Sequence, residues 1–157
     1  MPRLQSAGVI AFRRREGELE VFLVHPGGPF WQRKDDGAWS IPKGEFGEDE
    51  APEAAARREF AEETGFTLPD QQIALTPIAQ SRGKIVHPFA VEADLDADAI
   101  RSNTFELEWP PRSGVKREFP EVDRAAWFGI ADARRKILPG QRRILDELVE
   151  LTKRSIK

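Results

Sequence analysis

Residues 44–66 read GEFGEDEAPEAAARREFAEETGF, and this stretch decides the fold prediction. It predicts one helix from about Glu50 to Thr64. Asp49 is the expected N-cap, and Pro52 is tolerated in a first turn. Gly65 stops the helix because glycine adopts the left-handed conformation without cost. The small residues and one aromatic ring that would pack this helix closely on a sheet are Ala54, Phe60 and Ala61.

Three glutamates share one turn of this helix: Glu59, Glu62 and Glu63 lie beside Arg58. Positions i, i+3 and i+4 fall on one helix face, so the three carboxylates repel one another. A bound cation reverses that repulsion, and Mg²⁺ prefers one or two carboxylates, retained waters and substrate phosphates. The cluster therefore predicts a metal site. A solvated acidic face is the alternative, since charge runs commonly face water.

The wider pattern carries a family resemblance. Its fixed positions are Gly44, Glu50, Arg58, Glu59, Phe60, Glu62, Glu63, Gly65 and Phe66. At this spacing they resemble, without a mismatch, the signature of the Nudix hydrolase family over Gly44–Phe66. The resemblance implies an α/β fold, the Nudix-type α/β/α sandwich with a mixed central sheet, as a single domain over residues 1–157.

The same resemblance implies a chemistry, the Mg²⁺-dependent hydrolysis of a phosphoanhydride bond in a nucleoside diphosphate derivative, with Mn²⁺ as a substitute. By resemblance, the metal ligands are Gly44, through its carbonyl, and Glu59, Glu62 and Glu63. Arg58 orients Glu62, which it reaches at i+4.

The proton acceptor stays open between two kinds of residue, because the family uses either a glutamate of the signature or an acid from a later loop. The later candidates are Glu106, Glu108, Glu118 and Glu121. Glu121 lies six residues before Trp127, which resembles the late-loop acid of some dinucleoside polyphosphate hydrolases. The expected catalytic residues are Glu59, Glu63, Arg58 and Glu121.

Substrate contacts are predicted before and after the helix. The run from Trp39 to Gly44 resembles the W-x-x-P-K-G lead-in of Nudix enzymes that act on diadenosine polyphosphates. The resemblance places Lys43 near phosphate. The alternative is that this run only shapes a turn. Trp31 and Arg33 lie in a Gly/Pro loop suited to stacking a base and touching phosphate, unless Trp31 covers the core. Lys84 begins a predicted strand and either faces the phosphates or lies at the sheet edge.

These contacts favour a dinucleoside polyphosphate substrate such as diadenosine tetraphosphate. A nucleoside triphosphate, as for MutT-like members, is the second choice, and a non-catalytic Nudix-like nucleotide-binding module is the third. The chain contains no tyrosine. It therefore lacks the tyrosine that diadenosine polyphosphate hydrolases typically carry, and the subclass stays open.

Composition narrows the partners and the compartment. The chain has 157 residues, 39% of them hydrophobic, and a net charge of −3. That balance predicts no nucleic-acid duplex and no membrane surface as partner, and it leaves the oligomeric state open. The small-molecule nucleotide substrate is what the family resemblance implies. The absence of cysteine, of an apolar N-terminal stretch and of a long hydrophobic run predicts a cytoplasmic protein.

The remaining elements follow from apolar patterning and turn residues. Strands are predicted at residues 6–12, 19–25, 39–41, 72–80, 84–93, 102–109 and 125–128. Two further helices are predicted at residues 131–138 and 141–153.

Overall fold

The computed structural model describes residues 4–80 and 83–155, with side chains as far as Lys153. Its elements are β1 (Gln5–Arg15), β2 (Glu18–Pro26), β3 (Lys43–Glu45), α1 (Pro52–Thr64), β4 (Ile73–Ala74), β5 (Ile78–Gln80), β6 (Lys84–Glu92), β7 (Thr104–Glu108), β8 (Lys116–Pro120), β9 (Val122–Gly129), α2 (Ile130–Lys136) and α3 (Arg142–Ser155). Within these described ranges, no helix is long and apolar enough to span a lipid bilayer.

A mixed seven-stranded sheet forms the centre, in the order β4-β6-β1-β2-β9, with β3 beside β1 and β5 beside β6. The pairing of β1 with β6 is parallel, whereas β1 pairs antiparallel with β2 and β3. The edge of β1 that faces β3 at residues 6–8 faces β2 from residue 11 onward. The sheet therefore divides beside Lys43 and Gly44.

Successive side chains of a strand point to opposite faces, so β1 and β2 feed two cores. On one face, Val9 and Phe22 pack with Phe60 of α1. On the other face, Ile10 and Leu23 pack with residues of α2 and α3. Helices on both faces of a mixed sheet confirm the predicted α/β/α sandwich.

The start of α1 differs from the prediction. The helix begins at Pro52, and its N-cap is Ala51, which has no side-chain cap bond. A residue before proline is pushed out of the helical region, so the helix cannot extend back through Ala51. The prediction of Asp49 as N-cap is therefore wrong, whereas Gly65 ends the helix in the left-handed conformation (φ 81°) as expected.

The buried face of α1 is also rotated relative to the prediction. Ala56, Phe60 and Thr64 are buried, together with Ala55. These residues include the positions four before and four after Phe60, which share its helix face. Ala54 and Ala61 are exposed instead.

Two strand predictions need correction, and one strand was not predicted. The segment 39–41 forms only isolated bridges, Ser40 to Val24 and Trp39 to Ile137, and the short strand lies at β3. The predicted strand 72–80 is divided into β4 and β5 around Pro77, which has no N–H to donate to a ladder. The strand not predicted is β8, which is mostly exposed and pairs with β7.

Candidate active site

At the candidate site, the carboxylate of Glu59 in α1 lies close to the backbone of Gly44 in β3. A Cβ placed on Gly44 would lie 2.0 Å from Oε1 of Glu59, far inside contact distance. Glycine at this point of β3 therefore lets the carboxylate of α1 lie against the strand backbone. This contact brings together two residues that the family signature separates by a loop.

We expect Gly44→Ala to lower kcat/KM by about tenfold to a hundredfold, because the new methyl group displaces the Glu59 carboxylate by an ångström or more. Steady-state kinetics with circular dichroism checks this. Gly47→Ala is the matched control, since a Cβ at Gly47 meets no atom within 4 Å. Equal activity of the two variants would contradict the assigned role of Gly44.

A cavity of about 450 Å³ opens beside this contact. Carboxylates and amines line it together: Ser6, Lys43, Gly44, Glu45, Glu59, Glu63, Lys84, Asn103 and Glu121. It lies beside β3, with α1 contributing Glu59 and Glu63 and the β8–β9 junction contributing Glu121. The structure thus brings Lys43, Glu59, Glu63, Lys84 and Glu121 to one place.

Three of the acids that line this cavity have raised pKa values. Burial raises the pKa of Glu63 to about 8, and the charges of Glu59 and Glu121 act in the same direction, against Lys43. Burial also raises the pKa of Glu59 and of Glu121. The pKa of Lys43 is lowered, again chiefly by burial. Groups whose pKa values are shifted this far from their usual range are typical of functional sites.

Arg58 binds the acids on the outer side of α1. Its guanidinium donates to both carboxylate oxygens of Glu50 at 2.8 and 2.9 Å and to Glu59 at 2.7 Å. It also reaches Glu62 at 3.2 Å, the i+4 contact that the sequence predicts. The hydrogen bond to Glu50 is the largest of the influences that raise the pKa of Arg58. Arg58 therefore fixes the rotamers of the acids rather than facing the cavity.

The donor set fits a divalent cation in part. Glu59 and Glu63 line the cavity next to the Gly44 backbone, and carboxylate and carbonyl oxygens are the ligands of hard cations. Glu62 does not line it; its carboxylate is partly exposed and accepts from Arg58. Over residues 4–80 and 83–155, no three acidic or histidine side chains already converge as a complete metal site. Ligation by Glu62 stays a prediction.

A second cavity, of about 210 Å³, shares Lys43, Glu63 and Glu121 with the first. Its other walls are mostly apolar: Val24, Pro26, Trp31, Ala38, Ser40, Ile41, Val122 and Leu138. Trp31 is partly buried here, in the loop that follows β2. An aromatic and aliphatic recess thus opens directly onto the charged cavity.

Other candidates from the sequence lie elsewhere. Arg33 is exposed and lines neither cavity. Glu106, Glu108 and Glu118 are exposed on the β7–β8 hairpin, where Glu118 accepts from Thr104 and Glu108 from Gly114. Among the four late acids, Glu121 is the one that reaches both cavities.

Sequence reasoning missed residues that support the lead-in to Lys43. Gln141, fully buried, accepts from the backbone N–H of Ile41 at 3.1 Å and donates to Oγ of Ser40 at 2.9 Å. These partners are about a hundred positions apart in the chain, so no local pattern points to them. Asn103, in the wall of the charged cavity, likewise carries no local signal.

A family model for the NUDIX domain matches residues 2–148. The chain belongs to the Nudix family. Two RNA pyrophosphohydrolases, from Mesorhizobium japonicum and Brucella ovis, are each 29% identical to it. The first alignment covers 71% of this chain and 68% of that protein, and the second covers 93% and 80%.

Solved structures agree on the fold of this Nudix chain. The C. elegans Ap4A hydrolase, determined as a binary complex, superposes with a TM-score of 0.67 at 19% identity. The superposition covers 96% of this chain and 98% of the hydrolase. Membership of the family and these relatives make the chain a Nudix pyrophosphohydrolase, and such enzymes generally use a divalent metal.

Proposed function

We propose that this Nudix enzyme hydrolyses a phosphoanhydride bond of a nucleotide that carries a chain of phosphates, with a dinucleoside polyphosphate such as diadenosine tetraphosphate as the first substrate. The observation that supports this most is the junction of two unlike cavities at Lys43, Glu63 and Glu121. One cavity suits phosphates, and the other suits a base beside Trp31.

Different residues of the two cavities would bind the phosphates, the base and the metal ion. Lys43 and Lys84 line the charged cavity, where their ammonium groups neutralise phosphate oxygens. Trp31 offers a ring face on which a base stacks. Glu59 and Glu63, with the Gly44 carbonyl, would hold Mg²⁺. When bound, Mg²⁺ supplies positive charge to the phosphates and a fixed place for the attacking water.

Glu121 is our choice of proton acceptor. It lines both cavities, as Lys43 and Glu63 do. Burial raises its pKa, which brings a carboxylate closer to the value at which a general base works near neutral pH. Because Glu63 shares the junction and has a raised pKa too, it is the alternative acceptor.

A second candidate substrate is the 5′-triphosphate end of an RNA. The relatives from Mesorhizobium japonicum and Brucella ovis are RNA pyrophosphohydrolases, which favours it. An RNA end shares the nucleoside and the phosphate chain with a dinucleotide, so the two cavities accept either one. The substrates differ in what lies beyond the first nucleoside, and direct competition separates them.

A substrate panel with Mg²⁺, with products resolved by ion-exchange chromatography, tests the proposal. We expect diadenosine tetraphosphate to be cleaved with higher kcat/KM than ATP, dGTP or a 5′-triphosphorylated oligoribonucleotide. Faster release of pyrophosphate from the oligoribonucleotide would transfer the assignment to RNA. Faster turnover of triphosphates than of every dinucleotide would transfer it to mononucleotides.

Trp31→Ala is expected to raise KM by about 5- to 150-fold, which corresponds to the usual 1–3 kcal/mol for stacking a base on an aromatic ring. The change should leave kcat nearly as it was, because Trp31 lines the base recess. Phe30→Ala is the matched control: its ring is 60% exposed and contacts Trp109. The same KM in wild type and Trp31→Ala would rule out base stacking at this recess.

A further inference from the structure

A fully buried histidine links two segments that each contribute a residue to the base recess. His25, near the end of β2, has no exposed surface. Its Nδ1 is 2.8 Å from Oδ1 of Asp123, and its Nε2 is 2.6 Å from the backbone carbonyl oxygen of Lys34. The first partner is in β9, and the second is in the loop that carries Trp31.

The chemistry of these partners sets the protonation of the ring. A carbonyl oxygen only accepts hydrogen bonds, and so does an ionised carboxylate. Each ring nitrogen must then carry a hydrogen, a condition that neutral histidine cannot meet. The geometry points to His25 as an imidazolium cation that clamps the Trp31 loop to the segment carrying Glu121.

The surroundings suit a paired charge. Asp123 supplies the negative partner, and the guanidinium of Arg124 lies 3.9 Å from the same carboxylate. The ring of Trp39 packs edge-on against His25, with centroids 5.2 Å apart, and Arg124 lies over that ring. On the loop side, the carboxylate of Asp35 accepts from Trp39 Nε1 and from Lys136. A buried charge that is both paired and hydrogen-bonded avoids the penalty of isolation.

The clamp has a consequence for the site. Lys34 is three residues after Trp31, and Asp123 is two residues after Glu121. Because Trp31 and Glu121 line the same recess, the link from His25 to both segments sets the width of that recess. His25 is thus a positioning residue. Its effect on substrate rests on the proposed function, but its charge state does not.

Nitrogen-15 NMR of the imidazole rings tests the charge state without any substrate. The chain has two histidines, so in the His87→Gln variant every imidazole signal comes from His25. In wild type, His87 forms a hydrogen bond with Gln5. We expect both ring nitrogens of His25 to be protonated at neutral pH. In a second variant, Asp123→Asn, the amide donates to Nδ1, so one nitrogen should lose its hydrogen. One unprotonated nitrogen while Asp123 is intact would overturn the inference.

Kinetics test the positioning role. Asp123→Ala removes one end of the clamp and is expected to raise KM about tenfold, with a smaller change in kcat. Asp123→Asn keeps a hydrogen bond to a neutral ring and should recover most of that loss. Equal KM values in wild type and Asp123→Ala would refute the clamp's effect on the recess. If the wild type cleaves no nucleotide, the proposed function fails, and the NMR result still decides the charge of His25.

Discussion

Glu63→Gln is expected to lower kcat at least about a hundredfold while the circular dichroism spectrum stays that of wild type, since a lost charge at a reacting phosphate carries several kcal/mol of transition-state stabilisation. Glutamine keeps the shape of glutamate, so the packing of α1 is conserved. What disappears is the carboxylate that would bind the cation, at a position where the charges of Lys43, Glu59 and Glu121 act on it. Steady-state and single-turnover kinetics measure the change.

A matched variant on the same helix isolates that effect. Glu53→Gln makes the same chemical change at an exposed position in the first turn of α1, and it should leave kcat within about twofold, as for surface substitutions in general. Near-normal turnover by Glu63→Gln would remove Glu63 from the catalytic residues. Loss in both variants would point to damage to the helix instead.

Removal of divalent cations is expected to abolish turnover, and their addition to stabilise the fold more at pH 8 than at pH 5. In the metal-free protein, Glu63 has a pKa of about 8 instead of 4.5. The folded state therefore binds a proton that the unfolded state releases. Its contribution to the free energy of unfolding is complete below pH 4.5 and is lost as the pH rises through 8.

A cation competes with that proton, because ligand carboxylates must be ionised. Scanning calorimetry with Mg²⁺ or with chelator, at both pH values, measures the difference. We expect a larger rise in Tm at pH 8. Equal shifts at pH 5 and pH 8 would show that the cation does not bind the buried carboxylates. Full turnover in chelator would contradict the metal requirement itself.

The helix of the family signature, α1, shows which features can be predicted from neighbouring residues in the sequence. Gly65 and the i+4 contact from Arg58 to Glu62 depend on neighbours in sequence, and both are found as predicted. The predicted start of the helix is wrong because Pro52 restricts the residue before it, which outweighs an N-cap preference at Asp49.

Some features could not be predicted from the sequence, and the reasons are physical. The bond from His25 to Asp123 joins positions 98 apart, and no periodicity marks either residue. The strand β8 (Lys116–Pro120) is polar and exposed, so it lacks the apolar alternation that indicates a strand. By contrast, the placement of Lys43 and Trp31 at the site follows from their position beside the signature and after β2. The metal ligands and substrate residues stay predictions.

Calorimetric titration of Mg²⁺ tests most directly whether the cavity beside Gly44 binds a divalent cation together with a nucleotide. The titration uses wild type and Glu63→Gln, each with and without a non-hydrolysable analogue of diadenosine tetraphosphate. We expect saturable binding to wild type that tightens with the analogue and weakens strongly in Glu63→Gln. No binding of Mg²⁺ to wild type, with or without the analogue, would contradict the assignment of this cavity as the catalytic site.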